Sequence, residues 1–164
     1  MEIERLVVGL LEENCYIVTI KNKTIIIDPG DEAERIIKEC QNKNIVGILI
    51  THHHEDHIGA LKEIEEKFNV KETKKIKDFD YEIIETPGHT SDSLTYYFPQ
   101  EKVMFTGDFL FKDSIGRYDL PTGSYFDIKD SLKKISNYPD DIIIYPGHGD
   151  RTTLGYEKDN FKYY

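Results

Sequence analysis

The segment from Thr51 to His57, with the sequence THHHEDH, is rich in side chains that bind metal ions. It contains the pattern HxHxDH, in which His52 and His54 lie two residues apart. In an extended backbone such residues point to the same side, so these two imidazoles can bind one metal. Asp56 and His57 follow where a helix is predicted to begin, so the chain turns and both can face a second metal. Imidazole and carboxylate groups are ligands expected for zinc or iron.

Three more potential ligands lie in short glycine-containing motifs further along the chain. They are His89 in PGHT, Asp108 in TGD and His148 in PGHG. Glycine beside a ligand permits tight turns and a close approach of the backbone to a metal. A lone histidine is more often a surface or hydrogen-bonded residue than a ligand. Here five of the six histidines fall at such positions, and this clustering favours a metal centre.

Four other side chains of types that can bind metals are predicted not to be ligands. His53 and Glu55 are out of phase with the ligands of the same stretch. Cys15 lies in an apolar strand-like segment and Cys40 on a helix face, and neither belongs to a CxxC pair. We therefore expect two buried free thiols.

The elements that must position these residues follow from hydrophobic periodicity. Every motif comes directly after a predicted strand, where loops converge on one edge of a sheet. We predict strands at 3–9, 15–20, 24–27, 45–50, 81–86, 93–98, 102–105 and 142–145. We predict one helix after Asp31, one that carries Ile58, Leu61, Ile64 and Phe68 on one face, and one from about Asp127, with a loop at 107–124.

Length and charge bound the classes of function. A chain of 164 residues suits one domain, so residues 1–164 are predicted to form a single one. The formal charge of −10 repels nucleic acid, and no basic block compensates for it. No apolar run spans a bilayer, and Met1 is followed by acidic residues rather than by a signal segment. We expect no nucleic-acid or membrane partner and a cytoplasmic protein.

The motifs HxHxDH, GHT, GD and GHG, in this order, resemble the metallo-β-lactamase superfamily. The resemblance implies an α/β fold, an αββα sandwich of two mixed β-sheets flanked by helices. It assigns one metal to His52, His54 and His89 and the other to Asp56, His57 and His148, and Asp108 resembles the bridging carboxylate. Asp28, in an Asp-Pro-Gly turn, resembles an aspartate that supports the histidine loop.

Two further stretches are similar to the small glyoxalase II-like branch of this family. Residues 114–121, SIGRYDLP, match an element that follows the bridging aspartate in glyoxalase II-like hydrolases and persulfide dioxygenases. Residues 153–157, TLGYE, match the segment after GHG in small glyoxalase II-like hydrolases. A substrate-side role for Arg117 and Asp119 and a structural ion pair between them both remain open.

The resemblance implies a hydrolase with two divalent metals, zinc in the first place and iron or manganese as alternatives. Such a centre lowers the pKa of bound water from about 15.7 to about 7. The resulting hydroxide would attack a small-molecule acyl thioester or ester, with Asp108 between the metals and Asp56 beside the water.

Two features distinguish this chain from full-length glyoxalase II. Residues 150–164 leave no room for its C-terminal helical domain, so we expect weak discrimination between thiol carriers. The interval from His57 to His89 is shorter than in most members of the family, which predicts an open site.

Two alternatives belong to other classes of function. A persulfide dioxygenase would hold one Fe(II) on His52, His89 and Asp108, a facial triad with open positions. A metal-binding module without turnover is the other alternative. The sequence does not fix the oligomeric state.

Overall fold

The computed structural model describes all residues from Met1 to Tyr164. The chain folds into two compact units, Met1–Phe79 and Asp80–Tyr164. Each unit contains one mixed β-sheet with its own helices.

The first unit contains a four-stranded sheet in the order β1-β2-β3-β4. Its first three strands form an antiparallel meander, and β3 and β4 are parallel. The strands are β1 (Glu2–Val8), β2 (Glu13–Ile20), β3 (Lys23–Ile27) and β4 (Ile45–Leu49), and the helices are α1 (Ala33–Glu39), α2 (Glu55–Ile58) and α3 (Leu61–Phe68).

The helices of this unit pack on the sheet through their apolar faces. One buried cluster joins Ile17 and Ile26 of the sheet to Ile36 of α1 and Ile64 of α3. All four side chains are 0% exposed, as the helical and strand periodicities predict.

The one helix predicted around Ile58 and Phe68 is two helices, α2 and α3. The backbone N–H of Ala60 donates to the carbonyl of Pro29 at 3.0 Å, and Gly59 packs against the carbonyl of Gly30. A Cβ on Gly59 would lie 2.3 Å from that oxygen. The chain therefore bends where the 29–30 turn contacts it, which an apolar pattern does not reveal.

The second unit contains a five-stranded sheet in the order β11-β10-β7-β6-β5. Strands β7 and β10 are parallel and the other neighbours are antiparallel. The strands are β5 (Glu82–Glu85), β6 (Leu94–Phe98), β7 (Val103–Gly107), β10 (Ile143–Pro146) and β11 (Thr152–Thr153), and the helices are α4 (Tyr125–Ile135) and α5 (Leu154–Lys158).

Three features of this unit differ from the predictions. The predicted loop 107–124 contains a short hairpin of β8 (Leu110–Phe111) and β9 (Ser114–Ile115). Helix α4 begins at Tyr125 because the hydroxyl of Ser124 accepts from the N–H of Asp127 as an N-cap. The tail, for which the sequence pattern predicts no element, forms β11, α5 and a 3-10 helix, Phe161–Tyr163.

A second apolar core lies within this unit. It joins Met104 of β7 and Ile144 of β10 to Ile128 and Ile135 of α4, all 0% exposed. No helix of the chain is long and apolar enough to span a membrane.

Candidate metal centre

In the first unit, the potential ligands and the residues that support them follow the carboxyl ends of the parallel strands β3 and β4. Asp28 comes directly after β3, and Thr51 and His52 come after β4. Because neighbouring parallel strands end at the same edge of the sheet, these side chains meet there. Asp28 is only 2% exposed and has a φ of 51°, a left-handed conformation that is rare for a non-glycine residue. Such backbone conformations cluster at functional sites.

The Asp28 carboxylate organises two of the histidines. Its Oδ1 accepts from the Thr51 N–H at 2.7 Å, and its Oδ2 accepts from the Thr51 hydroxyl at 2.5 Å. Oδ2 also lies 3.0 Å from Nδ1 of His57. A carboxylate only accepts, so Nδ1 of His57 carries the proton and Nε2 keeps its lone pair for a metal.

The same logic extends to His52 through the Thr51 hydroxyl. That hydroxyl gives its proton to Asp28, so it accepts from Nδ1 of His52 at 3.2 Å. Nε2 of His52 is then an acceptor, and it lies within hydrogen-bond distance of Nδ1 of His54, at 3.1 Å. Asp56 completes this part of the site, with Oδ2 3.9 Å from Nε2 of His57.

The two side chains predicted to be out of phase lie elsewhere. Nε2 of His53 is 3.1 Å from a carboxylate oxygen of Glu72, and the His53 side chain is about half exposed. Glu55 is exposed in the first turn of α2. Cys15 and Cys40 are buried free thiols, as predicted, and burial raises the pKa of both.

In the second unit, Asp108 and His148 follow the carboxyl ends of the parallel strands β7 and β10. The register pairs Pro146 with Gly107, and the Gly147 N–H donates to the Gly107 carbonyl at 2.8 Å. This bond connects the two loops just before their ligands. Oδ2 of Asp108 lies 3.6 Å from Nε2 of His148.

His89 approaches the same Asp108 oxygen from the turn between β5 and β6. Its Nε2 lies 3.6 Å from Oδ2 of Asp108, while its Nδ1 donates to the backbone carbonyl of Arg117 at 2.7 Å. Gly116 permits this arrangement, because a Cβ there would lie 1.8 Å from the Asp108 carbonyl oxygen and 3.1 Å from the His89 Cβ. Gly88 is similarly packed against the backbone of Ile128.

The side chains of Arg117 and Asp119 form a two-pronged ion pair with N–O distances of 2.8 and 2.9 Å. Both are more than half exposed. The hydrogen bond from Arg117 lowers the pKa of Asp119 from 3.8 to about 2. The ion pair is therefore present in the structure, and the contact of Arg117 with a proposed ligand comes from its backbone.

One buried carboxylate was missed by the sequence analysis. Glu13, the first residue of β2, is 1% exposed, and its Oε1 lies 3.8 Å from Nδ1 of His57. It follows the exposed Glu12, so the sequence shows only an acidic pair just before the predicted strand 15–20. Two adjacent acidic residues do not indicate which of their carboxylates is buried.

The donor atoms of each unit fit a divalent cation. Two ligands about 2.1 Å from one ion lie about 3.0 Å apart in octahedral and about 3.4 Å apart in tetrahedral geometry. The pairs described above lie 3.1, 3.6, 3.6 and 3.9 Å apart. The 3.1 Å distance lies within this range, and the other three exceed it by a few tenths of an ångström and are too long for hydrogen bonds. Nitrogen and oxygen donors of this kind suit zinc and iron.

A family model described as the metallo-beta-lactamase superfamily matches residues 8–81 and 71–148. The chain belongs to this superfamily. The metallo-β-lactamase fold that the motifs predict is confirmed by this match, by the two mixed sheets with their helices, and by solved structures. This fold and the histidine and aspartate clusters imply divalent metal ions.

Three proteins are similar to this metallo-β-lactamase-fold chain over nearly its whole length. Hydroxyacylglutathione hydrolase GloC of Haemophilus influenzae is 33% identical, over 96% of this chain and 95% of that protein. The crystal structure of the BLEG-1 B3 metallo-beta-lactamase is 29% identical, with a TM-score of 0.89 over 96% of this chain and 97% of that one. TTHA1623 in a di-iron-bound form is also 29% identical, with a TM-score of 0.85 over 94% and 96%.

Proposed function

We propose that this protein is a metal-dependent hydrolase that cleaves a small-molecule acyl thioester at a centre of two divalent metals. The observation that carries the proposal is the orientation of the histidine rings. Three of them, His52, His57 and His89, have Nδ1 held by an acceptor, so that each Nε2 keeps a lone pair. Rings fixed in this way bind a metal without reorganisation.

The proposed ligand set is the one that the family pattern implies. The family pattern supports His52, His54 and His89 for one metal and Asp56, His57 and His148 for the other. It also supports Asp108 as the carboxylate shared by the two. Zinc is the proposed metal, and iron is the first alternative because one relative is described in a di-iron form.

Metals held there would supply Lewis acidity, which makes water a nucleophile near neutral pH and polarises the carbonyl under attack. The chain supplies position and proton transfer. The Asp56 side chain is 23% exposed beside the buried His57, so it can accept the proton of the attacking water. Asp108 is 12% exposed, which leaves its carboxylate largely excluded from bulk water.

The thioester is the proposed substrate because GloC carries the name of a hydroxyacylglutathione hydrolase. The match covers 95% of the length of GloC, so GloC has no large domain outside the part that resembles this chain. Its alignment spans 202 positions against the 164 residues of this chain, so GloC carries residues that have no counterpart here. A shortened chain of this kind supports the expectation of an open site.

A cytoplasmic setting is part of the proposal. Both cysteines, Cys15 and Cys40, are free thiols, and reducing compartments keep thiols in that state.

The first test is metal stoichiometry. Protein prepared without chelator, or reconstituted with excess zinc, iron or manganese, should hold two metals per chain by elemental analysis. A value that stays at one would contradict the two-metal centre. Oxygen uptake with a persulfide substrate by protein holding a single iron would favour the dioxygenase instead.

The second test is a substrate panel. One acyl group is offered on glutathione, on coenzyme A and on a small thiol, with a β-lactam alongside because BLEG-1 is a B3 metallo-beta-lactamase. We expect thioester hydrolysis with less than a thousandfold spread in kcat/KM between carriers, roughly 4 kcal/mol. Hydrolysis of the β-lactam alone would overturn the thioester assignment, and a larger preference for glutathione would show a dedicated carrier site.

A further inference from the structure

We propose that Glu13 is a positioning residue of the metal centre, which acts through His57 to tighten the binding of one metal. The inference rests on the proposed function, because it presupposes that Nε2 of His57 binds a metal. It goes further by giving a role to a residue that is outside the proposed ligand set and that the family motifs do not include.

Two carboxylates face one nitrogen of His57. Oδ2 of Asp28 lies 3.0 Å from Nδ1, and Oε1 of Glu13 lies 3.8 Å from the same atom. The side chains of His57, Glu13 and Asp28 are 0, 1 and 3% exposed. Asp28 has the hydrogen-bond distance, so the proton of Nδ1 belongs to that pair. Glu13 adds a second carboxylate at the same end of the ring.

Burying two carboxylates together is unfavourable unless positive charge compensates for them. A neutral imidazole offers one polar proton and no net charge. A divalent cation on Nε2 withdraws electrons from the ring and makes its Nδ1 edge more positive. The second carboxylate is then attracted to the metal-bound ring, in a place that water does not screen. The structure therefore assigns to Glu13 a contribution that grows when metal binds.

Packing fixes the Glu13 carboxylate in this place. A Cβ on Gly30 would lie 2.6 Å from Oε2 of Glu13 and 1.7 Å from the backbone oxygen of Asp56. The carboxylate thus lies over Gly30, which itself packs on the peptide of a proposed ligand. A glutamine at position 13 keeps this shape and loses only the charge, whereas alanine loses both.

The experiment compares Glu13→Gln with Glu12→Gln, a control with the same change in charge at the exposed neighbour. Metal-free protein is titrated with zinc against a chromophoric chelator, and with Co(II) to follow its absorption spectrum. We expect Glu13→Gln to weaken one of the two sites about tenfold, within the range typical for residues behind a metal ligand. The other site should change less than about twofold, and Glu12→Gln should change neither.

Thermal unfolding separates this role from a purely structural one. Metal-free Glu13→Gln should be as stable as the parent or more stable, because a buried charge has been removed. The zinc-bound variant should unfold at a lower temperature than the zinc-bound parent. Glu13→Asp, which keeps the charge, should recover part of the affinity and serves as the second variant if Glu13→Gln does not fold.

The outcomes are distinguishable. Equal losses of stability with and without metal, or an unchanged affinity in Glu13→Gln, would overturn the role of Glu13 while leaving the proposed function intact. A parent protein that binds no second metal would overturn the proposed centre, and this inference with it.

Discussion

The two units present potential ligands in the same way and fix them by different means. In the first unit the histidine segment follows β4, and its supporting carboxylate follows the parallel strand β3. In the second, two potential ligands follow the parallel strands β7 and β10. In the first unit a buried carboxylate, Asp28, holds the ring of His57. In the second, a backbone carbonyl, that of Arg117, holds the ring of His89.

The two arrangements therefore require different residues in the sequence. A carboxylate that holds a histidine requires a particular side chain, and it would place negative charge behind a metal on that ring. A carbonyl that holds a histidine requires only that the backbone approach the ring closely. Glycine is the residue that permits such an approach. Accordingly, Gly116 lies against both Asp108 and His89.

The largest expected effect comes from removing the carboxylate that the second unit contributes. Asp108→Ala should lower kcat/KM about a thousandfold or more, roughly 4 kcal/mol, because two cations would lose the group between them. Arg117→Ala should lower it far less and leave the metal content intact, since its carbonyl remains. Elemental analysis and thioester kinetics check both. Equal loss of metal in the two variants would mean that residues 114–121 are misassigned.

Next in size is the loss of the carboxylate behind the histidines of the first unit. Asp28→Asn keeps a residue that tolerates a positive φ, but an amide cannot accept from three donors as the carboxylate does. We expect metal affinity to fall about 10-fold to 100-fold. Zinc titration of metal-free protein measures it, with the exposed Asp31→Asn as control. An affinity like that of the control would remove the distinction between the units.

The next prediction concerns stability and compares two glycines of the second unit. A Cβ at Gly116 meets backbone at 1.8 Å, so Gly116→Ala should cost about 2 to 3 kcal/mol and disturb His89. Gly149 has a φ of 73° and nothing within 4 Å of an added Cβ. Gly149→Ala should therefore cost only about 1 kcal/mol. Urea unfolding compares the two, and the opposite order would show that close approach is not what position 116 requires.

The smallest effect concerns the exposed pair of Arg117 and Asp119. The hydrogen bond from Arg117 lowers the pKa of Asp119 from 3.8 to about 2 in the folded chain. The pair therefore stabilises the fold above about pH 4, and this contribution is lost as the pH falls through about 2. In Arg117→Ala the pKa of Asp119, followed by NMR titration, should rise toward 3.8, with little change in stability at pH 7. An unchanged pKa would mean that another group holds Asp119 ionised.

Local patterns predicted most of the elements and failed where distant backbone intervened. Strands β2, β3 and β4 lie within two residues of their predicted bounds. Each contains a run of consecutive apolar residues, and such a run indicates a buried strand directly. The division between α2 and α3 arises from the Pro29 and Gly30 carbonyls, which no local pattern contains. The short strands β8 and β9 lack an apolar run long enough to be noticed.

The motifs alone identify the potential ligands and predict that each follows a strand. Residue type and spacing suffice for that, since HxHxDH, GHT, GD and GHG are local motifs. Which nitrogen of His57 and His89 keeps its lone pair follows from the tertiary structure. Those choices depend on acceptors far along the chain, Asp28 for His57 at a separation of 29 residues and the Arg117 carbonyl for His89 at 28. The same holds for Glu13, because burial of a charge is a property of the surrounding packing and not of the residue.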